Sequence, residues 1–501
     1  MDGFLRMLPV VVFFVALLVM GFMISKKSAD AAAKDFSKEY YIGGRSLGGF
    51  VLAMTLVATY SSVSSFLSGP GVAWNVGYGW VYYASTQVVA AFLVLGVLGK
   101  KMAVVGRKVD AVTVIDMIRA RYNSEPLAII LAIVILVFFT TTMLGQFTGG
   151  AQIFSGALGI DYKLAMILFA ATVIIYTTVG GFNAVAITDT ACAIVMLVGM
   201  CFLGYAIMSN GGGYTNITNT INEMSATARA TGEGNDMLNP YTAAPLGLFV
   251  TQWMLCGICT IGLPQSEVRN LSYKNTSAIH SAMIYGTIVV GAMMVGMHWL
   301  GVLSRGVLTS IPEGASTDTV VPTLIAQYMH PLVAGLTIVG PLAATMSTIS
   351  SLLIAGSSAI VKDLYLHHKE AKGEVVDQGF VRKLSIGITF VMGLVAVLLG
   401  LNPPSIIVWI NMFSFGGLQT SFFCAMLFGL FWKKGNATGA LLGVIGGLGV
   451  YCVTMAAGWR IWGMHQIMYG VVVSIILYII GSNIGKPIDD KTGRLFFPEK
   501  Y

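Results

Sequence analysis

From residue 8 onward the chain alternates long apolar runs with short polar segments that hold most of its charge. A bilayer core about 30 Å thick takes about 20 apolar residues per helix, and on that measure the runs divide into about thirteen membrane spans. They cover Leu8 to Ile24, Gly49 to Trp74, Trp80 to Leu98, Leu127 to Leu158, Leu164 to Val179, Ala184 to Met208 and Ala243 to Pro264. The series continues with Ala278 to Leu303, Leu332 to Ile360, Leu384 to Leu399, Ser405 to Trp432, Ala437 to Ala457 and Ile467 to Ile480. Lys26 and Lys27 follow the first run rather than precede it, which predicts a retained helix rather than a cleaved leader.

Composition sharpens this into a fold class. The chain is 56% hydrophobic and only 10% charged, with a mean hydropathy of +0.79, whereas soluble domains carry roughly 25% charged residues. An all-α polytopic membrane protein is expected, its partner a lipid bilayer. With the N-terminus placed outside, every Lys and Arg except Arg6, Lys163, Arg229, Arg305 and Arg460 falls on the cytoplasmic side. That asymmetry predicts an outside N-terminus and a cytoplasmic C-terminus. The net charge of +7 therefore reports orientation and not a nucleic-acid partner, because the basic residues are spread over several short loops.

Reactive chemistry is sparse. All six cysteines lie in apolar runs, and the pair Cys256 and Cys259 reads as two small residues packed a turn apart. No HExxH, metal-spaced Cys/His set or acid cluster is present, so the chain is not expected to be an enzyme or to need a cofactor. Acids fall in loops or at helix ends, Arg269 and Lys274 in a cytoplasmic loop, and no Lys or Arg at the midplane. Only Asp189 and His298 approach the membrane interior, which argues against a carboxylate-driven proton relay.

A neutral interior can still carry a cation through hydroxyls and freed carbonyls. The second run is interrupted at its centre by ATYSSVSSFLSGPG, Ala58 to Gly71, and the seventh by TQWMLCGICTIGLPQ, Thr251 to Gln265. Two interrupted helices in corresponding halves point to inverted repeats with a midplane binding site. Spans two to six and seven to eleven would form those repeats. Inside the ninth run, Ala344, Ser347, Thr348 and Ser351 recur at helical spacing and share one face. Hydroxyls on such a face, opposite carbonyls freed at the first break, suit sodium, a small hard cation.

The chain resembles the sodium:solute symporter family over nearly its whole length. The resemblance is carried by EYYIGGRSLGGF (Glu39 to Phe50), YTTVGGFNAVAITDT (Tyr176 to Thr190) and MSTISSLLIAGSSAIVKDLY (Met346 to Tyr365), and IGLPQSEVRNLSYKN is most similar to the family's sodium/pantothenate branch. It implies a LeuT-type 5+5 inverted-repeat core with one extra helix in front and two behind. The corresponding divisions are 1–46, 47–209, 210–242, 243–432 and 433–501. It further implies a sodium-coupled symporter of a bacterial inner membrane, with Na+ as the coupling ion.

Carried over residue by residue, the sodium ligands would be the carbonyls of Ala58, Ser61 and Ala344 and the hydroxyls of Ser347 and Thr348. Asp189 would lie on the cytoplasmic release path. The substrate, pantothenate or another small carboxylate, is expected beside Ser64 and Ser65, with Tyr60, Gln87, Gln146, Trp253 and Asn411 around it. Sodium entering from outside would join the second and ninth spans and favour an outward-open state. One sodium with one monovalent anion is electroneutral, so voltage would drive accumulation only through a second cation.

Overall fold

A computed structural model describes residues 2–27, 29–241, 246–402 and 407–500. Among them, ten helices are long and apolar enough to cross a membrane. Two further pairs qualify when taken together across a bend, Gly49–Tyr60 with Ser64–Val76 at 67° and Leu246–Gly262 with Pro264–Leu271 at 51°. One of the ten, Tyr162–Asn210, has 49 residues. At 1.5 Å per residue it is about 74 Å long, more than twice the bilayer core. Gly181 interrupts it with φ 62° and ψ −173°, backbone that a residue with a Cβ avoids. It therefore supplies two crossings, the fifth and sixth, and the thirteen expected spans are present. The expected starts of the seventh span at Ala243 and the eleventh at Ser405 lie outside the described residues, as does the 242/243 division.

Both bent spans break where their sequence cannot sustain a helical ladder. In the second span Ser61 leaves helical geometry at φ −77° and ψ 82°. In the seventh, Gly257 does so at φ −105° and ψ −92°, and Leu263 is extended ahead of Pro264, as proline favours in the residue before it. Pro264 then opens a new helical turn. This span consequently runs to Leu271, beyond the apolar run. Glu267 and Arg269 are fully buried within it, so the expectation of a loop arginine, and of an interior without acids, is corrected. Hydropathy misplaced them because their burial is against protein, not lipid.

The ninth span, Pro331–Ser358, sits at the centre: 83% of its apolar window is buried, against 28% for the first span. It packs on the first, second, fourth and tenth spans and on the long helix that supplies the fifth and sixth, while the last two pair mainly with each other. At the lysine-rich face a parallel bridge joins Leu47 to Tyr273. Leu47 N donates to Ser272 O (3.1 Å) and Lys274 N to Leu47 O (2.8 Å). The entry of the first broken helix is thereby tied to the exit of the second.

Candidate functional site

The break in the second span releases two carbonyls. Ser61 N still closes on Val57 O (2.8 Å), but Ser62 N turns to Tyr60 O (3.0 Å) and Val63 N to Gln146 Oε1 (3.0 Å). Neither amide reaches the carbonyl four residues earlier, so Ala58 O and Thr59 O leave the helical ladder. The ninth span meets them. Ser347 Oγ donates to Ala58 O (2.9 Å) and lies 3.1 Å from Ala344 O, while Thr348 Oγ1 donates to Thr59 O (3.1 Å) and lies 2.9 Å from Ala344 O.

Five neutral oxygens thus gather between the two spans, with Ser347 wholly buried and Thr348 2% exposed. Three carbonyls and two rotatable hydroxyls form a donor set suited to a hard monovalent cation. Ala58, Ala344, Ser347 and Thr348 come together as the sequence expected. Ser61 lies at the bend itself, its hydroxyl on Met293 Sδ (3.6 Å). The Thr59 carbonyl joins them without having been foreseen.

One helical turn further toward the lysine-rich face lies a buried ion pair. Asp189 Oδ2 accepts from Thr55 (2.7 Å), Thr59 (3.4 Å) and Ser351 (3.5 Å), and Arg269 Nη2 stands 3.5 Å away. The same guanidinium nitrogen donates to the hydroxyls of Thr55, Thr59 and Ser351, and Nη1 donates to Gln265 O. Both charges are fully buried. Asp189 is the acid of a cluster that laces together the second, sixth, seventh and ninth spans. An ion moving from the oxygen cluster toward the lysine-rich face along this route would meet it.

A cavity opens on the other side of the break. Tyr60, Ser64, Ser65, Gln87 and Asn411 line it, as expected. Asn411 Nδ2 donates to Ser64 Oγ and approaches Ser62 Oγ (3.5 Å). Gln146 sits behind this wall, fully buried, its Nε2 3.3 Å from Asn411 Oδ1. It fixes Asn411 and the broken strand of backbone together. Trp253 is off the wall and 44% exposed. Its neighbour Gln252 faces the cavity with Leu255 and Cys256, three and four residues on and hence on one helical side, a periodicity visible in the sequence. Trp80 and Tyr83 add an aromatic wall that was not anticipated, their rings stacked at 4.2 Å.

Beyond the cavity, on the face opposite the lysines, the segment after the eighth span is anchored to the second. Trp74 Nε1 donates to Leu308 O (2.6 Å), and the Arg305 guanidinium lies 4.0 Å from the Trp74 ring centre. In the same segment Asp318 is 3% exposed, and burial pushes its carboxyl above the ordinary value of 3.8.

Comparison with known proteins places this geometry. Residues 40–447 match the sodium:solute symporter family model. The sodium/pantothenate symporter of Haemophilus influenzae is 37% identical over 463 residues, covering 91% of this chain and 92% of that protein. The sodium/pantothenate symporter of Escherichia coli is also 37% identical, covering 97% and 98%, and an osmoregulated proline transporter of Bacillus subtilis is 28% identical, covering 97% and 96%. A Na+-coupled sialic acid symporter, solved in an outward-open state, superposes with a TM-score of 0.81 at 19% identity, covering 98% of this chain and 100% of that one. The nucleobase-cation-symport-1 transporter Mhp1, in a closed conformation, gives 0.59 at 15% identity, covering 91% and 97%. These likenesses establish a LeuT-type fold. With the family model spanning most of its length, the chain belongs to the sodium:solute symporter family.

Proposed function

We propose that this protein imports pantothenate together with sodium by alternating access across the bacterial inner membrane, with its N-terminus outside and its C-terminus in the cytoplasm. The observation that carries the sodium reading is the oxygen cluster joining the second and ninth spans. Ser347 and Thr348 reach from one span to the freed carbonyls of the other, so an ion held there contacts both helices. A ligand shifts a conformational equilibrium only through different affinities for its two states. A site shared between two spans that move relative to each other supplies that difference. Ala58, Thr59 and Ala344 would contribute carbonyls and Ser347 and Thr348 hydroxyls, with the Ser61 carbonyl at the bend completing the set. Asp189 would stand on the release path.

The substrate reading is supported by the similarity to two pantothenate symporters over nearly the whole chain and by the cavity's chemistry. Pantothenate offers a carboxylate, an amide and two hydroxyls on a branched aliphatic body. No Lys or Arg lines the cavity among the described residues, so the carboxylate would lie near Ser64 and Ser65, where the second half of the broken helix begins and its dipole is positive. Tyr60, Gln87 and Asn411 would surround the rest, with Gln146 holding Asn411. Residues 47–209 and 243–432 would form the two inverted repeats, with 1–46 and 433–501 outside them.

Radiolabelled pantothenate uptake into proteoliposomes tests this directly. An inward sodium gradient should drive accumulation, and unlabelled pantothenate but not proline should compete. Accumulation under a proton gradient alone, or competition by proline in place of pantothenate, would overturn the reading.

A further inference from the structure

Most polar side chains around the cavity are already hydrogen-bonded within the protein. The Tyr60 hydroxyl donates to Cys256 O (2.9 Å), that of Tyr83 points at Met412 Sδ (3.8 Å), and Asn411 is held by Ser62, Ser64 and Gln146. Two donors stand apart. Gln252 Nε2 and Trp80 Nε1 are buried, line the same cavity and have no hydrogen-bond partner. Their side chains come from different spans and are themselves closed to solvent, Gln252 at 0% and Trp80 at 4% exposure. The orientation of the Gln252 amide is fixed from its other end, where the Cys256 thiol lies 3.1 Å from Oε1. A thiol hydrogen wants an oxygen acceptor and sulfur accepts N–H weakly, so the oxygen faces the thiol and the two N–H groups are left over.

Buried donors without acceptors are disfavoured in a folded protein and are rare for that reason. Two of them on residues that line one cavity are accounted for if the transported molecule brings the acceptors. We propose that Gln252 and Trp80 are specificity-determining residues that read acceptor-only oxygens of the substrate, with Gln252 Nε2 donating to its amide carbonyl. The assignment rests on the pantothenate reading above. A carboxylate has a better place at the positive helix end beside Ser64 and Ser65, while a hydroxyl competes as a donor. A neutral carbonyl oxygen, which can only accept, matches a neutral amide nitrogen, which can only donate. Gln252 also sits one turn before the irregular backbone at Gly257, so a substrate bound there pulls on the segment where the seventh span bends.

The experiment compares Gln252→Met and Trp80→Phe with the unaltered chain in proteoliposomes, using pantothenate and its alcohol analogue, which keeps the amide and lacks the carboxylate. Gln252→Met should raise the pantothenate KM about tenfold or more, the scale of one buried hydrogen bond lost. It should raise the analogue's KM by the same factor and leave the sodium half-saturation unchanged. Trp80→Phe, which keeps a ring but deletes the N–H, should raise the KM several-fold. Thermal unfolding of the substrate-free protein supplies a readout independent of transport. Because Gln252→Met also deletes the oxygen that accepts from the Cys256 thiol, the comparison is made in a Cys256→Ala background. There Gln252→Met should leave the melting temperature unchanged or higher, and added pantothenate should stabilise the protein less than the same background with Gln252 intact. A lower melting temperature without substrate would mark a structural role and overturn the proposal. So would an unchanged KM, or a KM penalty confined to pantothenate, which would put Gln252 on the carboxylate. If the unaltered chain takes up no pantothenate, the substrate reading falls. Uptake by the parent with an unchanged variant KM sinks the Gln252 assignment alone.

Discussion

Removing the two hydroxyls of the oxygen cluster separates ion binding from helix packing. Consider Ser347→Ala and Thr348→Val, which delete one oxygen each while keeping a small or branched side chain. Each hydroxyl is a neutral donor to a carbonyl of the second span, at 2.9 and 3.1 Å, worth about 0.5–1.5 kcal/mol. With sodium bound, the same oxygen faces a full positive charge, and such an interaction is worth about 1.5–3 kcal/mol. Apparent sodium affinity changes by the difference between the two states, about 1–1.5 kcal/mol per hydroxyl, or roughly five- to tenfold. The two residues are adjacent and share Ala344 O, so the double variant should fall short of the product of the singles. The assay is pantothenate uptake into proteoliposomes against external sodium, with half-saturation as the readout. Half-saturation unchanged in both single variants, with uptake intact, would refute the ion assignment. A melting temperature lowered without any change in sodium dependence would show that the hydroxyls only tie helices together.

Other predictions probe the surroundings of this cluster. Asp189→Asn leaves Arg269 buried and unpaired and should cost about 3–5 kcal/mol, seen as a large fall in melting temperature. The double variant Asp189→Asn with Arg269→Gln should recover much of that loss, and a double variant as unstable as the single would count against the pair. Trp253→Ala should leave the pantothenate KM within about twofold, the scale of a surface change of ±0.5 kcal/mol, because the ring lies off the cavity wall; a tenfold rise would restore it as a substrate contact. Asp318 is held above the ordinary carboxylate range by burial. Its folded form therefore keeps a proton that the unfolded chain has lost, and stability falls as pH rises from the ordinary value of 3.8 through the raised one. Asp318→Asn should flatten that fall and raise the melting temperature at neutral pH, whereas an unaltered pH profile would place the titration elsewhere.

Much of this molecule could be read from its residues, and the failures share a physical cause. Spans were legible because lipid acts on each side chain separately, so a run of apolar residues reports its own environment. The hydroxyl face of Ser347 and Thr348 was legible because helical spacing places it without knowledge of the rest of the fold. Thr59 O escaped notice because a backbone carbonyl has no side-chain signature. Its release depends on Val63 N turning to Gln146, a partner more than eighty residues away. Arg269 and Glu267 were misplaced because a polar residue sheltered by protein looks, in sequence, like one in water. The expectation named Trp253 and not its neighbour Gln252, although the helical spacing of Gln252, Leu255 and Cys256 puts these three on one side of the helix.

On the proposed sodium assignment, the hydroxyls of Ser347 and Thr348 bear on turnover as well as on binding. A carrier that has released its cargo must return unloaded, and that stroke is slow if dehydrated carbonyls are left bare. Here Ala58 O and Thr59 O have hydroxyl partners in the protein itself. Rotation of two O–H bonds would exchange a proposed ion ligand for a hydrogen-bond donor. On that assignment the unloaded return would need no water in the cluster to satisfy these two carbonyls.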